Sequence, residues 1–188
     1  MARKLPRFLT VQEVNEMFKA AKGDERDHLL LKCLFFLGLR NNELRRLDIE
    51  DIDLINKNVK IVQGKGKKDR YVTIPENLVE DIKKYIGNRV KGPLFLGRDQ
   101  KGMLSDRHLR RIVKKYAIAA GIRKPDEVHV HTLRHSYATH LQNQGVPLNI
   151  IKETLGHERI ETTTIYLHLG VEGRRKFIEE AFKGIKWE

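Results

Sequence analysis

One change of hydrophobic period, between Ile52 and Ile74, constrains this chain more than any other feature. Val59-Lys60-Ile61-Val62-Gln63 and Arg70-Tyr71-Val72-Thr73-Ile74 are predicted as two strands, joined by the basic, glycine-containing turn Gly64-Lys65-Gly66-Lys67-Lys68-Asp69. A further strand near Ile52 to Ile55 completes a small three-stranded antiparallel sheet. Helical patterning surrounds this island on both sides. The predicted fold class is therefore α+β, a mostly helical domain with one small sheet.

The helical segments carry their own punctuation. Thr10 followed by Glu13 is a capping-box pair and opens a helix through about Ala21. Further helices are predicted from Glu25 to Gly38, Asn42 to Leu47, Glu76 to Ile86, Asp106 to Ala120, His131 to Gln144 and Pro147 to Leu155. Two short ones follow, near Thr162 to His168 and Glu172 to Phe182. Pro147 suits a first helical position, and Gly121 and Gly145 suit C-terminal caps.

Length and composition exclude several classes. With 188 residues, 40% hydrophobic and 33% charged, the chain can bury a core and is neither disordered nor membrane-like. The longest apolar patch, Leu29 to Leu39, is interrupted by Lys32 and reads as a buried helix rather than a membrane span. Met1-Ala-Arg-Lys-Leu-Pro6 contains no apolar signal core, so a cytoplasmic location is expected. The single cysteine, Cys33, excludes an internal disulfide and any multi-cysteine metal site, and it lies among apolar neighbours as a small buried thiol. Thirty-seven basic residues against twenty-five acidic ones leave a formal charge of +12. Such an excess favours a polyanion partner, because phosphates neutralised by Lys or Arg release condensed counterions. Charge alone is silent on chemistry.

Several residue groups could carry chemistry, and each also has an ordinary structural explanation. His131, Arg134 and His135 stand three and four apart on one predicted helix, so they can share a face. An imidazole that transfers protons beside a guanidinium that forks onto phosphate suits phosphoryl transfer; a solvated basic face is the alternative. The histidine spacing also matches a zinc-protease helix, but Thr132 stands where the required glutamate should follow. Gly156 ends a predicted helix and sets His157 at a turn. Tyr166 lies in an apolar stretch, where a core tyrosine is the common case. Arg40 follows Gly38-Leu39 at the end of the apolar helix; it either answers the helix dipole or is a guanidinium held by Glu43 and ready for an anion. Lys65, at the hairpin tip, is either a solvated lysine or a mobile general acid.

Taken together and in order, these groups resemble the tyrosine recombinase (phage integrase) family. Gly-Leu-Arg at 38 to 40, the hairpin lysine at 65, His-x-x-Arg at 131 to 134, Leu-Gly-His at 155 to 157 and Tyr166 carry the likeness. It spans about Leu9 to Leu169. The basic hairpin 64 to 70 and Thr162-Thr163-Thr164-Ile165-Tyr166 look Xer-like in particular.

The resemblance implies a site-specific recombinase that cleaves and rejoins DNA through a 3′-phosphotyrosyl link. Its catalytic set would be Arg40, Lys65, His131, Arg134, His157 and Tyr166. Tyr166 is then the nucleophile, Arg40 and Arg134 clamp the non-bridging oxygens, and Lys65 protonates the departing 5′-oxygen. His131 accepts the tyrosine proton or holds the phosphate, and His157 hydrogen-bonds a phosphate oxygen. His135 and Glu43 are expected to support rather than react. Neither a metal nor another cofactor is implied. The implied partner is double-stranded DNA, bound by a homo-oligomer (tetramer), with no membrane involved. The likeness implies one catalytic domain over residues 1 to 188, without the N-terminal core-binding domain usual in relatives. The tail from Glu172 to Glu188 carries one apolar face, for its own domain or for a neighbouring protomer. Two other readings share these residues: a type IB topoisomerase, and a DNA-binding module without catalysis.

Overall fold

The computed structural model describes residues 7–62, 69–97, 102–156 and 171–188. Thr10 caps α1 (Val11–Ala21): its side chain accepts from the Glu13 N–H, and the Glu13 carboxylate accepts from the Thr10 N–H at 2.8 Å. Helix α2 (Glu25–Phe36) starts at Asp24 and is buried through its apolar run. Lys32 lies within that run, buried but paired with Asp81 at 2.8 Å. Charge pairing is what makes a lysine tolerable there. Cys33 is buried as expected, and burial pushes its thiol far above the usual range.

After α2 the chain turns at Leu37 and Gly38, two residues before the predicted helix end is used up, and enters α3 (Asn41–Arg45). Gly38 has φ +56°, a left-handed conformation that favours glycine. An added Cβ would also lie 2.6 Å from the Tyr137 ring. The sheet follows as β1 (Ile52–Asp53), β2 (Asn58–Ile61) and β3 (Arg70–Thr73), antiparallel and in that order. Strand β1 is shorter than predicted because the Asp53 carboxylate accepts from both the Asn56 backbone and side-chain amides, at 2.8 and 2.7 Å. That local turn ends the strand before Ile55, which is exposed. Val59 pairs with Val72 and Ile61 with Arg70, so the face that carries Val59, Ile61 and Val72 into the core also carries Arg70. The predicted turn at 64 to 69 falls on residues 63–68, outside those described except for Asp69.

Five α-helices complete the described fold: α4 (Glu76–Ile86), α5 (Asp106–Ala119), α6 (Val130–Asn143), α7 (Leu148–Leu155) and the C-terminal α8 (Val171–Phe182). Pro147 sits at the N-cap of α7 rather than inside it. Gly121 and Gly145 take the left-handed conformation expected just past α5 and α6. The predicted helix at 162 to 168 lies outside the described residues. Helix α8 packs on its own domain: Ile178, Ala181 and Phe182 are buried, and Phe182 stacks on His140 with ring centres 4.9 Å apart. Trp187 adds an edge contact with Phe36. The three-stranded sheet amid helices matches the α+β expectation. No helix among the described residues is long and apolar enough to cross a membrane.

Candidate active site

Three arginines from three different elements meet at the last turn of α7. Arg70, on β3, donates from Nε to the Thr154 carbonyl at 2.9 Å. Arg134, on α6, donates from Nη2 to the Leu155 carbonyl, and Arg40, before α3, donates from Nη2 to the Gly156 carbonyl at 2.8 Å. These are the carbonyls a helix end leaves without partners, and the dipole makes that end attractive to cations. Arg134 also donates to the Gly38 carbonyl at 2.5 Å, which ties the α2–α3 turn to the same point.

One carboxylate, Glu43, serves all three guanidiniums. It accepts from the Arg40 side chain at 2.7 Å and from the Arg40 backbone N–H at 2.7 Å. Arg70 reaches both of its oxygens, at 2.8 and 2.9 Å, and Arg134 lies 3.8 Å away. Burial pushes the Glu43 carboxyl upward, but the hydrogen bond and charge of Arg70, with the bonds from Arg40, outweigh it and hold the group at about 2. Among the described residues, three positive charges therefore face one negative charge. The excess is poorly hydrated, since the Arg70 and Arg134 side chains are each only 9% exposed. Burial, with the charge of Arg40, lowers Arg134 to about 10, which leaves it protonated at neutral pH. A partly dry pocket with surplus positive charge is suited to an anion such as a phosphate diester.

His131 stands one helical turn before Arg134 and is exposed at the rim, as is His135. Burial and the charges of Arg134, His135, Arg40 and Arg110 all lower its pKa, so at neutral pH the imidazole is uncharged and able to accept a proton. Beside it opens a cleft of about 430 Å³ lined by Asn41, Arg110, Lys114, Asp126, His129 and His131, among others. Arg110 and Lys114 belong to the exposed side of α5, together with Arg107, Arg111 and Lys115; Leu109, Ile112, Val113 and Tyr116 fill the opposite, buried side.

Of the six residues expected from sequence, the structure brings Arg40, His131 and Arg134 together. Lys65, His157 and Tyr166 lie outside the described residues. Glu43, expected as a support for Arg40, does support it. Arg70 was missed as a site residue, although its signal was present: in β3 it alternates with exposed Tyr71 and buried Val72, so it is a charged residue on the core side of a strand. Such a residue requires a buried partner.

Comparison with known proteins agrees with this architecture. A tyrosine recombinase of Pseudothermotoga lettingae is 38% identical over 167 residues, covering 89% of this chain, and the chain spans 58% of that relative's length. The crystal structure of XerA recombinase superposes with a TM-score of 0.76 at 29% identity, covering 93% of this chain and 65% of that one. XerH site-specific recombinase bound to its difH substrate, in a pre-cleavage complex, superposes with a TM-score of 0.70 at 32% identity, over 83% of this chain and 48% of that one. The model of the phage integrase family matches from residue 7 to residue 172. A match of that extent, on a fold shared with solved recombinases, makes this chain a member of the phage integrase family.

Proposed function

We propose that this chain is the catalytic unit of a site-specific tyrosine recombinase, acting on double-stranded DNA. The observation that carries the reading is the surplus of positive charge where, among the described residues, Arg40, Arg70 and Arg134 surround one carboxylate, with Arg40 left open to an anion. In the proposed reaction the Tyr166 phenol oxygen attacks the scissile phosphorus, His131 takes up the phenolic proton, and the 5′-oxygen leaves with a proton from Lys65. The phosphodiester is conserved as a 3′-phosphotyrosyl bond, so resealing by reversal needs no external energy. Arg40 and Arg134 hold the non-bridging oxygens, His157 hydrogen-bonds one of them, and the same charges ease ionisation of a phenol whose ordinary pKa is near 10. The lowered pKa of His131 supports its part as proton acceptor.

The basic side of α5, continuous with the cleft beside His131, supports a DNA backbone running past the pocket. The relative solved on its DNA substrate supports the same choice of partner. Exchange between two DNA sites calls for a homo-tetramer on the DNA, and we place the reaction in the cytoplasm.

The test is covalent trapping on a nicked duplex built on the sequence this chain enriches from a random-sequence duplex pool. An adduct on Tyr166, lost in Tyr166→Phe while DNA binding persists, is the expected result. An adduct on another residue, or none under conditions of saturating binding, would overturn the proposal. Efficient relaxation of a supercoiled plasmid lacking any such site would point instead to a topoisomerase.

A further inference from the structure

We infer that Arg70 is a positioning residue for the strand-transfer reaction, acting on Arg40 through Glu43 and on the α7 C-terminal turn directly. The inference rests on the recombinase reading and goes beyond it, since Arg70 has no part in the six-residue set.

The geometry uses the whole guanidinium. Its two terminal nitrogens engage both Glu43 oxygens at 2.8 and 2.9 Å, and its Nε takes the Thr154 carbonyl at 2.9 Å. These donors are largely spent on the protein itself, and the side chain is 9% exposed. Arg40 differs: its side chain is 38% exposed, so it is open to an anion while Glu43 and the Gly156 carbonyl hold it from behind. Arg70 therefore secures the residues that secure Arg40. It performs two tasks. Electrostatically, it is the strongest influence keeping the Glu43 carboxyl ionised against burial. Geometrically, its planar fork fixes the carboxylate plane, and its Nε fixes the turn that carries the Gly156 carbonyl two residues on. A lysine could supply the charge as a point donor but not the three-way geometry. A core-facing strand position would otherwise take an aliphatic side chain, as Ile61 opposite it does.

The experiment compares unaltered protein with Arg70→Lys, Glu43→Gln and the double variant, on the nicked duplex described above. DNA affinity and the single-turnover rate of adduct formation are measured separately, at a temperature where circular dichroism shows each variant folded. For Arg70→Lys the expected result is affinity within threefold of the unaltered protein and an adduct rate at least tenfold lower. Because one of its two routes runs through Glu43, the double variant should lose less than the product of the two single losses. A purely structural residue would not divide rate from affinity in this way, nor show that non-additivity. Should Arg70→Lys not fold, Arg70→Gln is held to the same division. An adduct rate within threefold of the unaltered protein overturns the inference, as does multiplication of the two single losses. Failure of both Arg70 variants to fold also overturns it, by assigning Arg70 to the fold alone. Absence of any adduct from the unaltered protein is a different result and sinks the recombinase reading instead.

Discussion

Replacing Gly38 by alanine tests the packing beneath the arginine cluster. Two costs are separable there. Moving an L-residue into the left-handed conformation that Gly38 holds, φ +56°, costs about 1–2 kcal/mol. The new methyl would also lie 2.6 and 2.9 Å from two Tyr137 ring carbons and 3.0 Å from a Leu155 methyl. The Leu155 methyl can rotate away, but the Tyr137 ring is fully buried and stacked on Phe182, so overpacking adds about 1–3 kcal/mol. A central total of about 3.5 kcal/mol corresponds to a fall in Tm of roughly 7–14 °C for a chain of this size. Gly121 is the internal control. It has φ +66° but, among the described residues, nothing within 4 Å of an added Cβ, so Gly121→Ala should cost only the backbone part, roughly 3–6 °C. Thermal unfolding followed by circular dichroism measures both variants. If Gly38→Ala loses no more than Gly121→Ala, the close approach of Tyr137 to this turn is wrong. A functional loss should accompany the larger fall, because the displaced Gly38 carbonyl is the one that accepts from Arg134.

Two further outcomes are expected. The Tyr137 hydroxyl is buried without a hydrogen-bond partner among the described residues, so Tyr137→Phe should leave Tm unchanged or raise stability by about 1 kcal/mol; a clear loss would mean that the hydroxyl is satisfied in solution. Two histidines hold the C-terminal tail: His140 through the Ala181 carbonyl at 2.8 Å, and His28 through the Glu188 carbonyl at 3.3 Å. Burial lowers the pKa of both, and for His28 the charge of Lys32 adds to it. A group with a depressed folded pKa gives stability that is full above its unfolded value, near 6.5, and lost as pH falls below it. The chain's single tryptophan, Trp187, packs 5.9 Å from His140 and reports the tail. Its emission should shift on acidification from pH 7.5 to 5, and stay level in a His28→Gln, His140→Gln double variant. A level response in the unaltered protein would refute the linkage.

What could be read in advance divides along a physical line. The Thr10–Glu13 capping box, the α+β class and the burial of the 29 to 39 run follow from interactions within a few residues, and the structure agrees with each. Boundaries slipped where one local hydrogen bond decided them, as when the Asp53 carboxylate curtailed β1. The pairing of Arg40 with Glu43 was legible because the two stand three residues apart. Arg70 was not: its carboxylate partner is 27 positions away and its carbonyl partner 84, and no periodicity encodes such distances. Only its presence on the inward side of a strand hinted at a partner.

The attachment of three guanidiniums to the end of α7 also bears on when the pocket exists. The tethers to the Thr154, Leu155 and Gly156 carbonyls close chain segments of 84, 21 and 116 residues. Two of these closures are long-range, with their loop entropy lost before any contact is gained. Anion affinity is thus a property of the finished chain, acquired when α7 docks. Until then a half-made polypeptide carries the same arginines as separate, hydrated charges, with no shared grip on a phosphate.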